Sequence, residues 1–70
     1  MTDITKQPHY TQFKIQPAVF VIENGLNYCE GNIVKYVCRY KLKNGIEDLK
    51  KARHYLDMLI TKVETGEVKI

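Results

Sequence analysis

Two stretches carry a clear helical pattern: residues 27–42, NYCEGNIVKYVCRYKL, and residues 46–64, IEDLKKARHYLDMLITKVE. In the first stretch, Ile33, Val37 and Tyr40 recur at the spacing of one helical face. In the second stretch, apolar residues recur every three or four positions and predict a buried stripe: Leu49, Ala52, Leu56, Leu59, Ile60 and Val63. The turn between the two stretches is short, so the two predicted helices should lie antiparallel.

The ends of these helices carry typical capping signals. Asn27 is a suitable N-cap, and Glu30 three residues later approximates a capping box. The Asn44-Gly45 pair should end this helix after about Leu42. Acidic residues follow in the first turn of the next helix, where they complement the helix dipole, and Gly66 follows the end of that helix.

A shorter helix is predicted to begin at Pro17 and to reach Ile22, because proline suits the first helical position. A strand is the alternative for this apolar run, since its β-branched residues favour sheets. The predicted fold is therefore all-α: an antiparallel helical hairpin with a short N-terminal helix packed across it. We assign residues 1–14 to an N-terminal arm, 15–65 to a single helical domain and 66–70 to a C-terminal tail.

The chain has 70 residues, and a single core of this size supplies only about 3–5 kcal/mol of stability. Cys29 and Cys38 are nine residues apart and would lie on opposite faces of one helix, so they should remain reduced thiols. No zinc-ligand spacing is present, and we expect no bound metal. A bound ligand or self-association could still stabilise the fold; self-association is the leading candidate, so we expect a homo-oligomer.

Residues 1–6 are polar and include Asp3, which is unlike a signal peptide. The longest apolar run, residues 18–22, is far shorter than a membrane span. The sequence thus predicts a soluble intracellular protein without a membrane partner.

A polar stripe follows the second helix at helical spacing: Asn32, Lys35, Tyr36, Arg39 and Lys43. Arginine and lysine bind phosphate, and a tyrosine ring can stack on a base. The stripe therefore predicts a site for a phosphate-bearing ligand. The alternative is a solvated helix face without a ligand.

On the third helix, Lys51 and Tyr55 are four residues apart and could face the same site. Residues 35–53 contain seven lysine and arginine residues and two acidic residues, a local charge of +5, against +3 for the whole chain. This region should attract anions. Nucleic acid is a weaker candidate than a nucleotide, because no recognition-helix motif is present.

Catalytic motifs are mostly missing: there is no Walker phosphate loop, GxSxG or HExxH. His9 and Tyr10 could form an acid–base pair or a packing contact. Glu47 and Asp48 are adjacent and point about 100° apart on a helix, so they do not form a metal-binding pair. Whether the protein is an enzyme stays open.

The sequence resembles the SaV-like family of small phage proteins, the domain of unknown function DUF3310. The resemblance covers about residues 9–60 and is carried by pieces in chain order: His9-Tyr10, IQP at 15–17, ENGL at 23–26, GNIVKYVCRY at 31–40, KNGIEDLKKA at 43–52 and Tyr55-Leu56. It implies a phage protein acting in the cytoplasm of infected bacteria. A related region occurs in a T7-type phage nucleotide kinase that has no Walker loop, and other relatives are tied to abortive-infection defence.

Three functions follow as hypotheses. The first is binding of a nucleotide by Asn32, Lys35, Tyr36, Arg39 and Lys51, with Mg²⁺ as a cofactor if the protein is a minimal, non-Walker nucleotide kinase. The second is a protein-interaction module that binds a host factor through the basic face, in anti-defence or in triggering defence. The third is structural: the polar stripe forms an inter-helix network with Glu47 and Asp48 and binds nothing.

Overall fold

The computed structural model describes residues 13–68, which form three helices: α1 (Pro17–Glu23), α2 (Tyr28–Arg39) and α3 (Ile46–Thr65). No strand is present in this part of the chain, so the all-α prediction is confirmed and the strand alternative for α1 is wrong. The predicted N-terminal arm lies almost entirely outside the described residues.

The predicted caps at the start of α2 and at the end of α3 are confirmed. The Asn27 side chain accepts a hydrogen bond from the Glu30 amide at 2.8 Å, and the Glu30 carboxylate accepts one from the Asn27 amide at 2.9 Å. This reciprocal capping box satisfies two amides that the helix itself leaves unpaired. At the other end, Gly66 adopts φ +77° and donates its amide to Lys62 O, which closes α3 with a left-handed residue.

Helix α2 ends at Arg39, three residues earlier than the predicted Leu42. The following residues form a turn in which the Gly45 amide donates to Tyr40 O at 2.8 Å. Gly45 has φ +54°, which a residue with a side chain rarely adopts. The local helical pattern therefore overestimates the length of α2, because the chain turns after Arg39 and brings α3 against α2.

Helix α2 packs against α3 on one side and against α1 on another. The contact with α1 occurs at Gly31, where a Cβ atom would lie 3.0 Å from Cγ1 of Val21. A glycine at this position lets the backbone of α2 approach α1 closely. The three helices thus share α2 as the central element.

The predicted apolar core is largely wrong. Among residues 13–68, only Pro17, Asp48 and Ala52 are buried. Other members of the predicted stripes remain half-buried or exposed, with exposed fractions of 46% for Val37, 45% for Leu56, 46% for Ile60 and 77% for Val63. The reason is that α2 contacts α3 along a neighbouring line of residues that includes the charged Asp48 and the aromatic Tyr55.

Candidate functional site

The most buried side chain of the described region is the carboxylate of Asp48, in the first turn of α3, with no exposed surface. Arg39, in the last turn of α2, donates from Nε to Oδ2 and from Nη2 to Oδ1, both at 3.3 Å. The Asn44 amide donates to Oδ2 at 3.1 Å, and its side chain donates to Oδ1 at 3.5 Å. One carboxylate therefore ties together the end of α2, the turn and the start of α3.

Two opposing influences act on the pKa of Asp48. Burial disfavours the charged form and raises the pKa, whereas the hydrogen bonds and charge of Arg39 and the hydrogen bonds of Asn44 lower it. The donors together outweigh burial, so the pKa of Asp48 lies below its ordinary value. The carboxylate is therefore charged at neutral pH.

This lowered pKa predicts how the stability depends on pH. A group whose pKa is lower in the folded state stabilises the fold fully above its unfolded pKa of about 3.9, and that stability is lost as the pH falls through the folded pKa. We expect urea midpoints that are constant above about pH 5 and decrease steadily below about pH 4. In Asp48→Asn the decrease should be clearly shallower; equal acid slopes in both proteins would contradict the assignment.

Tyrosine rings fill the space between α2 and α3 above this ion pair. The rings of Tyr36 and Tyr55 stack with a centroid distance of 6.0 Å and an interplanar angle of 7°. Tyr28 contacts the Tyr55 ring edge-on at 5.8 Å. The neighbouring Tyr28 hydroxyl, and then burial, raise the pKa of Tyr55 above its ordinary value. An aromatic contact between the helices thus takes the place of an aliphatic core.

Three cationic groups surround the Tyr36 ring. The ammonium groups of Lys35 and Lys51 lie 5.1 and 5.4 Å from its centroid, and the Arg39 guanidinium lies 4.8 Å away. The π face of the ring partly offsets the repulsion between these charges. Within the described region, Arg39 has a carboxylate partner and neither lysine has one within ion-pair distance. An anionic ligand that binds beside the Tyr36 ring would therefore neutralise the charges of Lys35 and Lys51.

An open groove lies between α1 and α2, and Lys35 is one of its lining residues. It has a volume of about 320 Å³ and is lined mainly by apolar groups of α1 and by the side of α2 that carries Gly31, Asn32 and Lys35. This size is at the lower end of about 300–1,000 Å³, the usual range for small-molecule sites. Lys35 belongs to both features, because it lines the groove and stands beside the Tyr36 ring.

The structure brings together part of the predicted site. Lys35, Tyr36, Arg39, Lys51 and Tyr55 lie at the contact between α2 and α3. Asn32 lines the groove, and its Nδ2 donates to Tyr28 O at 2.9 Å, so one of its donors is already used by the helix.

Other candidates lie elsewhere. Lys43 is exposed in the turn after α2, because the helix ends before it, and Glu47 is exposed at the start of α3. Asp48 is buried in the ion pair. His9 and Tyr10 lie outside the described residues.

Sequence reasoning missed two contributors. Tyr28 belongs to the tyrosine cluster, and Val21 of α1 belongs to the groove wall. Tyr28 could have been found, since it lies seven residues before Lys35 and eleven before Arg39 and therefore shares their helical face. The position of α1 has no comparable signal, because a helix of seven residues contributes too few positions to define a packing face.

Further features bear on metal, thiol and membrane chemistry. No group of three or more metal-ligating side chains occurs among residues 13–68. Cys29 and Cys38 are free and half-buried, and burial raises the pKa of the Cys38 thiol. None of the three described helices is long and apolar enough to cross a bilayer.

Comparisons with known proteins give one match. A family model described as "Protein of unknown function (DUF3310)" matches residues 4–57. No curated protein and no solved structure matches the chain. The matched region contains α1, α2 and the first half of α3, and thus the ion pair, the tyrosine cluster and the groove. Because the match covers well over half of the sequence, the protein belongs to the DUF3310 family.

Proposed function

We propose that this protein is a phage-encoded, SaV-like member of the family that binds a nucleotide or another phosphate-bearing ligand in the cytoplasm of an infected bacterium. Its role would be in host nucleotide metabolism or in nucleotide-dependent defence. The observation that carries the proposal is the position of Lys35 and Lys51, whose ammonium groups approach one ring from two helices and have no carboxylate partner among residues 13–68.

The charge distribution favours an anionic ligand. Arg39 is held by Asp48, so its charge is largely compensated within the protein. The ammonium groups of Lys35 and Lys51 both approach the Tyr36 ring, and gathering like charges around one ring is unfavourable until an anion neutralises them. A phosphate group would supply several acceptor oxygens to both lysines. We therefore assign phosphate binding to Lys35 and Lys51.

The groove between α1 and α2 suits the remainder of a nucleotide. Its walls are mainly apolar, and its polar members, Asn27, Asn32 and Lys35, stand along the side formed by α2. An apolar cleft with a few polar groups is the usual arrangement in small-molecule sites. In this proposal a base or sugar occupies the groove, Asn32 Oδ1 accepts a hydrogen bond from it, and the phosphates reach Lys35 and Lys51.

The proposal includes an antiparallel hairpin of α2 and α3 that self-associates. Arg39 at the end of α2 contacts the start of α3, while Tyr28 at the start of α2 contacts its middle, which supports the opposite directions of the two helices. The lack of a buried aliphatic core in residues 13–68 supports self-association, because a domain of this size needs further burial to be stable. If the protein has a nucleotide kinase activity, Mg²⁺ would accompany the nucleotide phosphates.

Titration calorimetry tests the proposal. The full chain at tens of micromolar is titrated with nucleoside monophosphates, triphosphates and cyclic nucleotides, with and without Mg²⁺, and with inorganic phosphate alone. We expect saturable heat for at least one nucleotide and weaker binding of phosphate, because phosphate leaves the groove empty. The absence of heat with every nucleotide would reject the proposed function.

A protein-interaction module is the second candidate, and exposed apolar side chains on α1 favour it. Val19 and Phe20 are 38% and 42% exposed. This candidate predicts no heat with nucleotides, together with stoichiometric capture of one bacterial protein that Lys51→Glu abolishes. Lys51 is a better probe than Arg39 here, because a change at Arg39 also breaks the ion pair with Asp48.

A further inference from the structure

Helix α3 carries an apolar row beside the line of residues that contacts α2. The row alternates steps of three and four residues, which is the heptad spacing of a coiled coil, and its members are Ile46, Leu49, Arg53, Leu56, Ile60 and Val63. We call this row the α3 seam. Four of its apolar members, Ile46, Leu56, Ile60 and Val63, are exposed, from 45% for Leu56 to 77% for Val63, and Leu49 is half-buried.

We propose that the α3 seam is the interface with a second copy of this chain, packed antiparallel as a two-helix coiled coil. The proposal deepens the self-association named above by assigning its surface and register. A heptad row packs its side chains between those of a similar row on another helix. In an antiparallel pair, Ile46 layers on Val63 of the second copy, Leu49 on Ile60, and Arg53 on Leu56.

Charge complementarity fixes this register. Lys50 and Asp57 are both exposed, lie seven residues apart, and flank the α3 seam on the same side. With Ile46 opposite Val63, Lys50 lies within about 3 Å along the axis of Asp57 of the second copy. The two-fold symmetry gives this opposite-charge pair twice. On its other side the α3 seam is flanked by Ala52 and Leu59, which are buried or half-buried within the chain itself.

Arg53 is the one charged member of the α3 seam. Its aliphatic stem can cover Leu56 of the second copy while its guanidinium reaches the row of charges that contains Asp57. A single cationic residue in such a row lowers stability but limits the number of registers and helices that fit. Arg53 therefore favours a dimer of defined register over open-ended association.

Sedimentation velocity with charge-reversal variants tests the interface. We expect a wild-type dimer whose dissociation constant rises about tenfold in Lys50→Glu and in Asp57→Lys, since each creates two like-charge contacts. An equimolar mixture of these two variants should form a heterodimer about as tight as the wild type, because each remaining contact then joins opposite charges. Lys41→Glu is the control, as it changes the charge equally in the turn outside the α3 seam and should leave the constant unchanged.

Leu56→Asp provides a second probe, with helicity measured by circular dichroism. Because Leu56 is already 45% exposed in the single chain, we expect a folded monomer. A wild-type monomer would reject both this interface and the proposed self-association. A wild-type oligomer that is insensitive to Lys50→Glu, Asp57→Lys and Leu56→Asp would reject the α3 interface alone. Neither result depends on nucleotide binding, which calorimetry decides separately.

Discussion

Asp48→Asn is expected to lower the melting temperature by about 10 °C or more, the largest loss for a single substitution in this protein. The amide keeps the size of the carboxylate but removes its charge and turns one acceptor into a donor. That donor would face the Arg39 guanidinium and the Asn44 amide, which are donors themselves. Breaking a buried ion pair on one side is costly because the other charge stays unpaired.

Thermal unfolding followed by circular dichroism measures this effect. Glu47→Gln is the matched control, since it removes an acidic residue one position earlier that is exposed, and we expect a change of only about 2 °C. Arg39→Gln should also be destabilising. The double variant Arg39→Gln with Asp48→Asn should lose less than the two single losses combined, because both remove the same contact. Equal, small effects of Asp48→Asn and Glu47→Gln would show that the buried carboxylate does not hold the helices together.

The second large effect concerns ligand binding. We expect Lys35→Ala and Lys51→Ala each to weaken nucleotide binding by about tenfold or more, since a hydrogen bond to a charged group is worth about 1.5–3 kcal/mol. Stability should stay the same or rise slightly, because each change removes a cation from a crowded place. Calorimetry and thermal unfolding on the same preparations separate the two effects.

Lys41→Ala and Lys43→Ala are the controls for this prediction. They remove the same charge from the nearby turn, where both lysines are exposed. If all four variants weaken binding equally, the ligand responds to the overall positive charge of the region and to no particular site. If Lys35→Ala lowers the melting temperature strongly, this lysine belongs to the structural network together with Arg39.

The positions of the helices could be read from the sequence because local interactions determine them. Asn27 and Glu30 form the expected capping box, Pro17 is the first residue of α1, and Gly66 ends α3. The end of α2 could not be read in the same way. It depends on Asp48, a residue nine positions after Arg39, whose hydrogen bonds hold the turn in place.

The candidate site was only partly visible in the sequence. Helical spacing placed Lys35, Tyr36 and Arg39 on one face, and the structure keeps them together. Spacing could not show that this face meets α3. Arg39 therefore acts as an ion-pair partner of Asp48, although its residue type and position equally suited a phosphate ligand.

The helical class, the first residues of the helices and the distribution of positive charge all follow from the sequence, because caps, periodicity and charge act within a few residues. Which helix faces meet depends on contacts between residues that are far apart in the chain. Several apolar rows of α3 could pack against α2 equally well. The pairing of Asp48 with Arg39 and of Tyr55 with Tyr36 selects one line of contact, and the aliphatic row of α3 lies beside it. That choice leaves Lys35 and Lys51 without carboxylate partners within residues 13–68 and leaves Leu56 and Ile60 half-exposed on the outer face of α3.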